Sequence, residues 1–479
     1  MMASENTPAG NIPTLDRART TPLFRQIYER YRSAIEQGTL RPGDRVASAR
    51  SLASELGVAR GTVEAAYNQL AGEGYLSSHG QAGTVVSPSL PPQRQARRES
   101  RRAETTAAIG GLMQPGEPPP LQPGIPSLDA FPRKLWSRLA ARRMRATGAA
   151  DMFYGDPAGF APLREAIAAY LRVSRGVACH PSQVLVTAGY RASLALVART
   201  LLKKDDRVWI EDPGFPPTQE VLRHTGQRTV PVPVDDEGLV VARGLRKAPA
   251  ARMAVVTPSH QAPLGVSMSL ARRLQLLEWA SKVNAWIVED DYDGEYRYAG
   301  PPLPALKSLD GNDRVLYAGS FSKVLYPGLA LGYLVVPESL RARFEEAARI
   351  GSNGSPQLTQ AIVADFMREG HFSRHLKKMR LLYARRRSML ATALLKAFGH
   401  AVRIDLKSGG MHLIARFDGH GHGDAELARR AQQAGLNCQP LSGRRIAANG
   451  DEGLLMGFTN IASAIEANRL AARLRAAFD

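Results

Sequence analysis

The sequence predicts an α/β chain in two parts: a small tri-helical module closed by a hairpin, and a large, mostly parallel sheet covered by helices. Three observations carry that reading. Helical apolar patterns followed by two short β-runs occupy residues 22 to 86, and from about residue 123 apolar, β-rich runs alternate with helical stretches. Between them, from 87 to about 122, Pro-rich ends enclose QRQARRESRRAE and no apolar period survives. At 479 residues, the chain exceeds what one core usually serves.

Taken in order, Leu23, Ile27, Tyr31, Ala34 and Ile35 recur at helical spacing until Gly38, Pro42 and Gly43 end the first helix. Ser48 caps a short second helix carrying Leu52, Ala53 and Leu56, and Gly57 supplies the turn after it. The third helix has Val63, Ala66, Tyr67 and Leu70 on one face and Arg60, Thr62 and Glu64 on the other. Residues 75–78 and 84–86 flank His79-Gly80-Gln81-Ala82-Gly83 as a wing. The expected sheet strands are VLVT at 184–187, RVWIE at 207–211, MAVVT at 253–257, AWIVED at 285–290 and RVLYAGS at 314–320. A helix-rich stretch after about residue 375, a strand pair around HLIARF at 412–417 and a last helix at 460–477 suggest a smaller α+β subdomain. The expected boundaries are 15–88 for the tri-helical domain, 89–122 for a flexible linker and 123–479 for the sheet domain, with its small subdomain at about 375–479.

The 44% hydrophobic content is that of a globular protein, and neither a long apolar run nor a secretory leader is evident, so a cytoplasmic protein without membrane contact is expected. Cys179 and Cys438 are far apart and outside metal-ligand spacing, which argues against a disulfide framework or a metal site. A formal charge of +19 suggests a polyanionic partner, although an arginine-rich composition gives the same balance without one. Two basic runs, at 133–145 and 373–387, read either as solvated helix faces or as extensions of a nucleic-acid footprint.

A helix-turn-helix sets its second helix in the major groove, where Arg60 suits guanine and Ser48, Arg50 and Thr62 suit phosphates or bases. The plainer alternative is a packing module with an ordinary charged face. In the sheet domain, ligands collect at the carboxyl ends of parallel strands. Lys323 lies three residues past one strand end, where burial strips a proton and leaves an amine able to attack an aldehyde. Asp290 ends another strand with Tyr292 close behind, a carboxylate to keep a pyridine nitrogen protonated and a phenol to stabilise a ring oxygen anion. Gly189 starts a helix whose amides at Gly189, Tyr190 and Arg191 suit a phosphate, with the hydroxyls of Ser320 and Ser322 beside them. Phe215 reaches a third strand end, placed to stack on a pyridine.

The stretch PLFRQIYERYRSAIEQGTLRPGDRVASARSLASELGVARGTVEAAYNQLAGEGYL resembles the GntR-family winged helix-turn-helix over its full length. That resemblance implies DNA contacts from Arg50, Arg60 and Thr62, and a wing carried to the minor groove by His79 and Gly80. Ala47 and Ala59 depart from the family's usual proline and hydroxyl residue. The motifs YGDPAGFAPLREAIAAYL, EDPGFP, TPSHQAPLG, VEDDYDGEYRY, GSFSKVLYPGLALGYLV and the run from Gly370 to Arg387 resemble fold-type I aminotransferases. Outside the linker nearly the whole chain is similar to the MocR/GabR regulators, which join such a domain to a GntR-like head. The resemblance implies pyridoxal 5'-phosphate as cofactor and a Schiff base on Lys323. It puts Asp290 on the pyridine nitrogen, Tyr292 on the ring oxygen and Phe215 against the ring. It also implies double-stranded operator DNA as partner, and a homodimer in which Tyr154 reaches the phosphate in the partner subunit.

Three positions depart from the aminotransferase pattern. Ala330 stands where an arginine usually grips the phosphate, and Arg191 is expected to supply that charge instead. Ala262 replaces an asparagine, leaving His260 or Gln261 to contact the ring oxygen. Leu455 replaces the arginine that holds a substrate carboxylate, which argues against ordinary transamination. The expectation is a regulator sensing pyridoxal phosphate itself or a small amine or amino acid that reacts with it, in control of vitamin B6 or amino-compound metabolism. The missing arginines favour the cofactor as signal. The rivals are a catalytically active aminotransferase bearing a DNA-binding head and a regulator with a degenerate pocket.

Overall fold

A computed structural model describes residues 15–17, 21–78, 83–88, 118–298, 300, 303–351, 356–419, 421–447 and 450–479. The chain divides into two compact units, Met1–Pro115 and Gly116–Asp479.

In the first unit, α1 (Leu23–Glu36), α2 (Ala49–Leu56) and α3 (Arg60–Gly72) precede a hairpin of β1 (Leu76–Ser78) and β2 (Thr84–Val86). The apolar stripes read from the sequence converge, burying Ile27, Tyr31, Leu52, Val63, Leu70 and Leu76 in one core. The Ser48 hydroxyl caps α2 by accepting the Ser51 amide at 3.1 Å, and Gly57, at φ +63°, closes it in the left-handed region. This tight turn makes α2 and α3 a helix-turn-helix. The Tyr67 hydroxyl donates to the Ala47 carbonyl at 2.9 Å and fastens α3 to the entry of α2. His79 and Gly80, the expected wing tip, lie outside the described residues.

The second unit begins with α4 (Arg133–Ala146), α5 (Ala161–Arg175), β3 (Val184–Thr187) and α6 (Tyr190–Leu201). Next come β4 (Arg207–Asp212), α7 (Pro216–His224), β5 (Arg228–Asp235), β6 (Gly238–Leu239), α8 (Val241–Lys247), β7 (Met253–Val256) and α9 (Leu270–Lys282). β8 (Trp286–Asp291), β9 (Val315–Ser320), α10 (Phe321–Val324) and β10 (Gly332–Val335) complete the large sheet. The chain then runs through α11 (Arg341–Gly351), α12 (Gln357–Arg368), α13 (His371–Phe398), β11 (Val402–Asp405), β12 (His412–Phe417), α14 (Asp424–Gln433), β13 (Gln439–Pro440), β14 (Leu454–Gly457) and α15 (Ala464–Phe478).

Among the described residues, the large sheet has eight strands in the order β3-β10-β9-β8-β7-β4-β5-β6, and β11-β12-β14-β13 form a separate antiparallel sheet. In the large sheet only β10 and β6 run against their neighbours. All five strands read from the sequence are present. β5 was not expected, because Pro231 and Pro233 interrupt its pattern. It lies near the sheet edge, paired along β4 and touching β6 only at Val234 and Asp235. The two prolines are two residues apart, so their missing N–H groups fall on one side of the strand, where an edge tolerates them.

The stretch expected as a linker, 89–122, is tied down at its C-terminal end. The carbonyls of Pro120 and Leu121 accept the amides of Asn437 and Gly457, both at 2.8 Å, and Leu121 is buried. Residues 89–117 lie outside the described ones. The basic runs are partly structural: Arg142 and Arg143 of α4 bind Asp365 of α12, and Arg386 of α13 is buried against Asp129 at 2.5 Å.

One ion pair in the large unit is nearly sealed from water. The Arg175 Nε at the end of α5 lies 2.9 Å from Asp291 Oδ2 at the end of β8, and the Tyr317 hydroxyl donates to the same oxygen at 2.6 Å. Arg175→Met leaves Asp291 charged and buried without its cation, so a loss of about 3–5 kcal/mol in unfolding free energy is expected from urea titration of the full chain.

Candidate cofactor and nucleic-acid sites

Side chains alternate along β8, and three successive carboxylates therefore divide between two faces. Glu289 accepts the amides of Leu306 and Lys307, both at 2.8 Å, and Asp291 has Arg175 and Tyr317. Asp290, between them, is buried and accepts no hydrogen bond among the described residues. Burial raises its pKa well above the usual carboxylate value, and the neighbouring charges of Asp291, Glu211 and Asp293 raise it further, against the pull of Lys323.

Lys323 sits in α10, three residues past β9 as expected. Burial pushes its ammonium pKa down, opposed by Asp293 and Asp290. Its Nζ donates to the Gly124 carbonyl at 2.7 Å. The Tyr292 hydroxyl lies 3.0 Å from His260 Nδ1, which is also 3.1 Å from Asp293 Oδ1. Of the two residues expected near the ring oxygen, Gln261 is fully engaged within the chain. Gln261 spends its amide nitrogen on Glu211 and on the Pro213 and Ala262 carbonyls, and its oxygen accepts the Leu264 amide.

Gly189, at φ +96°, opens the N-terminus of α6, and a Cβ there would meet nothing within 4 Å. The turn requires glycine, and the space before the helix is open. The half-buried Ser320 and Ser322 stand at the end of β9, where the Ser322 amide donates to the Ser320 hydroxyl at 3.2 Å. Tyr190 turns its side chain into the wall, its hydroxyl 2.7 Å from Thr218 and its ring 6.0 Å from that of Phe215. The Arg191 side chain, expected to supply the phosphate charge, is 65% exposed and pairs with Glu220 at 3.5 Å. Tyr154 is 75% exposed and is not brought to Lys323 within the single chain.

Sequence reasoning missed Glu211, Asp293, His412 and Arg444. Glu211 and Asp293 sit inside the motifs that carry Phe215 and Asp290, so adjacency alone pointed to them. Burial pushes the Glu211 carboxyl up to about 7, with Thr257 and Gln261 donating to it. His412 opens β12, donates to the Pro263 carbonyl at 2.8 Å and is held down to about 4 by burial. Arg444 lies in a polar loop whose sequence carries no such signal.

These residues fit pyridoxal phosphate. A buried carboxylate without a donor suits a pyridinium N–H, a desolvated amine stands near it, and glycine leaves an open approach to a helix N-terminus that suits a phosphate. In the head, Arg50 and Arg60 are exposed, Arg60 paired with Glu64 at 2.7 Å, and Thr62 is half-buried on the first turn of α3. Ser48 is exposed at the cap of α2.

A helix-turn-helix head joined to an aminotransferase-type domain defines a class of DNA-binding regulator. Residues 23–86 match the bacterial regulatory proteins of the gntR family, and residues 132–455 match aminotransferase class I and II. The chain belongs to the MocR-type transcription regulators of the GntR family, whose second domain has the fold of pyridoxal-phosphate-dependent aminotransferases. It is 38% identical to the probable rhizopine catabolism regulatory protein MocR of Rhizobium meliloti, over 93% of this chain and 92% of that one. It is 36% identical to the pyridoxine biosynthesis transcriptional regulator PdxR of Corynebacterium glutamicum, over 91% and 92%. Among solved structures, the kynurenine aminotransferase of Pyrococcus horikoshii superposes with a TM-score of 0.68 at 25% identity, over 76% of this chain and 91% of that one. The α-aminoadipate aminotransferase of Thermus thermophilus, complexed with N-(5'-phosphopyridoxyl)-L-leucine, gives 0.67 at 28%, over 75% and 91%.

Because the folded-state pKa of Asp290 is raised, its penalty is absent below the unfolded value and grows as pH rises toward the folded one. In cofactor-free protein, Asp290→Asn is therefore expected to melt higher than wild type at about pH 8, with the gap closing as pH falls toward about 4. Parallel melting curves across that range would contradict the assignment.

Proposed function

We propose that this chain is a cytoplasmic, homodimeric regulator that binds a specific operator and takes up pyridoxal phosphate at Lys323, the ligand state of that site biasing how the two heads engage DNA. The observation that carries the reading is the unpartnered, buried Asp290 beside the desolvated Lys323 in a chain of this family. When bound, the cofactor supplies an aldehyde that condenses with amines. Asp290 would hold the proton at the pyridine nitrogen, and Tyr292, positioned by His260, would serve the ring oxygen. Phe215 would stack on the ring, and the amides of Gly189, Tyr190 and Arg191 with the hydroxyls of Ser320 and Ser322 would hold the phosphate.

The exposed run Met152, Phe153 and Tyr154 favours a dimer, since three neighbouring large side chains at 75–77% exposure suit a subunit interface. Ser48, Arg50, Arg60 and Thr62 are the proposed contacts to operator DNA. The relative named for pyridoxine biosynthesis favours target genes of vitamin B6 metabolism. Coupling between site and heads requires only that the ligand bind two conformations unequally.

Added pyridoxal phosphate is expected to produce an absorbance band near the visible edge in wild type and none in Lys323→Ala; a band of equal intensity in both would remove Lys323 from this role. Arg60→Ala is expected to weaken operator binding by roughly 10-fold in a mobility-shift titration at fixed salt.

A further inference from the structure

We infer that Arg444 holds the carboxylate of the amine recognised at this site, in place of the arginine that Leu455 displaces, so that the effector is an amino acid. The inference rests on pyridoxal phosphate occupying the Lys323 site. It reverses the expectation that no cation awaits a carboxylate there.

The main chain around Arg444 is fixed against the large sheet. Both oxygens of Asp212, at the end of β4, are engaged by the amides of Ile446 and Ala447 at 2.9 and 3.0 Å, and the Gly214 amide donates to the Arg444 carbonyl at 2.9 Å. Gly214 itself admits no side chain, because a Cβ would lie 2.3 Å from the Glu211 carbonyl oxygen. Arg444 is thereby delivered beside Phe215, and the two line a cleft of about 70 Å³ with Tyr190, Glu211 and Thr257.

The guanidinium has no carboxylate within 4 Å among the described residues, and its partner there is the neutral side-chain oxygen of Gln439. Gln439 is the register partner of Leu455 across β13 and β14. The displaced cation thus returns from the neighbouring loop to the strand pair that would have carried it. Arg445, next in sequence, instead donates to the Asp451 carbonyl. The positive charge of Arg444 also bears on both Lys323 and His412, lowering the pKa of each. Such a field favours an anion between them.

The test uses two conjugates that differ only in the carboxylate, N-(5'-phosphopyridoxyl)-L-alanine and N-(5'-phosphopyridoxyl)-ethylamine, titrated calorimetrically into cofactor-free full-length protein. Wild type is expected to bind the alanine conjugate roughly 10-fold or more tighter. Arg444→Gln is expected to erase that preference while binding the ethylamine conjugate as wild type does, and Arg445→Gln to retain the preference. Equal affinities in wild type, or a preference surviving in Arg444→Gln, would overturn the inference alone. Failure of wild type to bind either conjugate would overturn the pyridoxal phosphate reading, and the inference with it.

Discussion

Three consecutive carboxylates at the end of β8 set the electrostatic frame of the large domain. Bringing Glu289, Asp290 and Asp291 into the interior together is costly, because desolvation of a carboxylate costs several kcal/mol in protein after relaxation. Glu289 is answered by backbone amides and Asp291 by an arginine and a phenol. Asp290 is left for something the chain does not contain.

A second constraint joins the two subdomains of the large unit. Asp212 belongs to the large sheet, and the amides it accepts belong to the loop between β13 and β14. Phe215 and Arg444 therefore share one piece of scaffold although 229 residues separate them in sequence. A shift of the small sheet relative to the large one cannot move one wall of the cleft without drawing on these bonds.

Much of the fold was legible because its signals are local. Ser48 and Gly57 mark the ends of α2 through chemistry within a few residues, and the buried parallel strands announce themselves as short apolar runs. β5 was hidden by prolines whose acceptability depends on an edge position, which is a property of the finished sheet. Lys323, Asp290, Tyr292, Phe215 and the glycine at the start of α6 were legible as residues following strand ends. The side chains around them were less so. Arg191 has the right backbone position but pairs outward with Glu220, and Gln261 is consumed by the Pro213 turn; neither outcome is written in spacing. Arg444 comes from a loop whose place beside Phe215 exists only once Asp212 has captured it.

The hydrogen bond from Lys323 to the Gly124 carbonyl has a further bearing on signalling. Gly124 lies in the first described stretch after residue 117, held to the small sheet through Pro120, Leu121 and Ile125. Under the proposed uptake of an aldehyde at Lys323, the amine could not serve both the aldehyde and the Gly124 oxygen, so this contact is one that binding would alter. The stretch at Gly124 is thereby tied, in part, to the side chain proposed to take up the ligand.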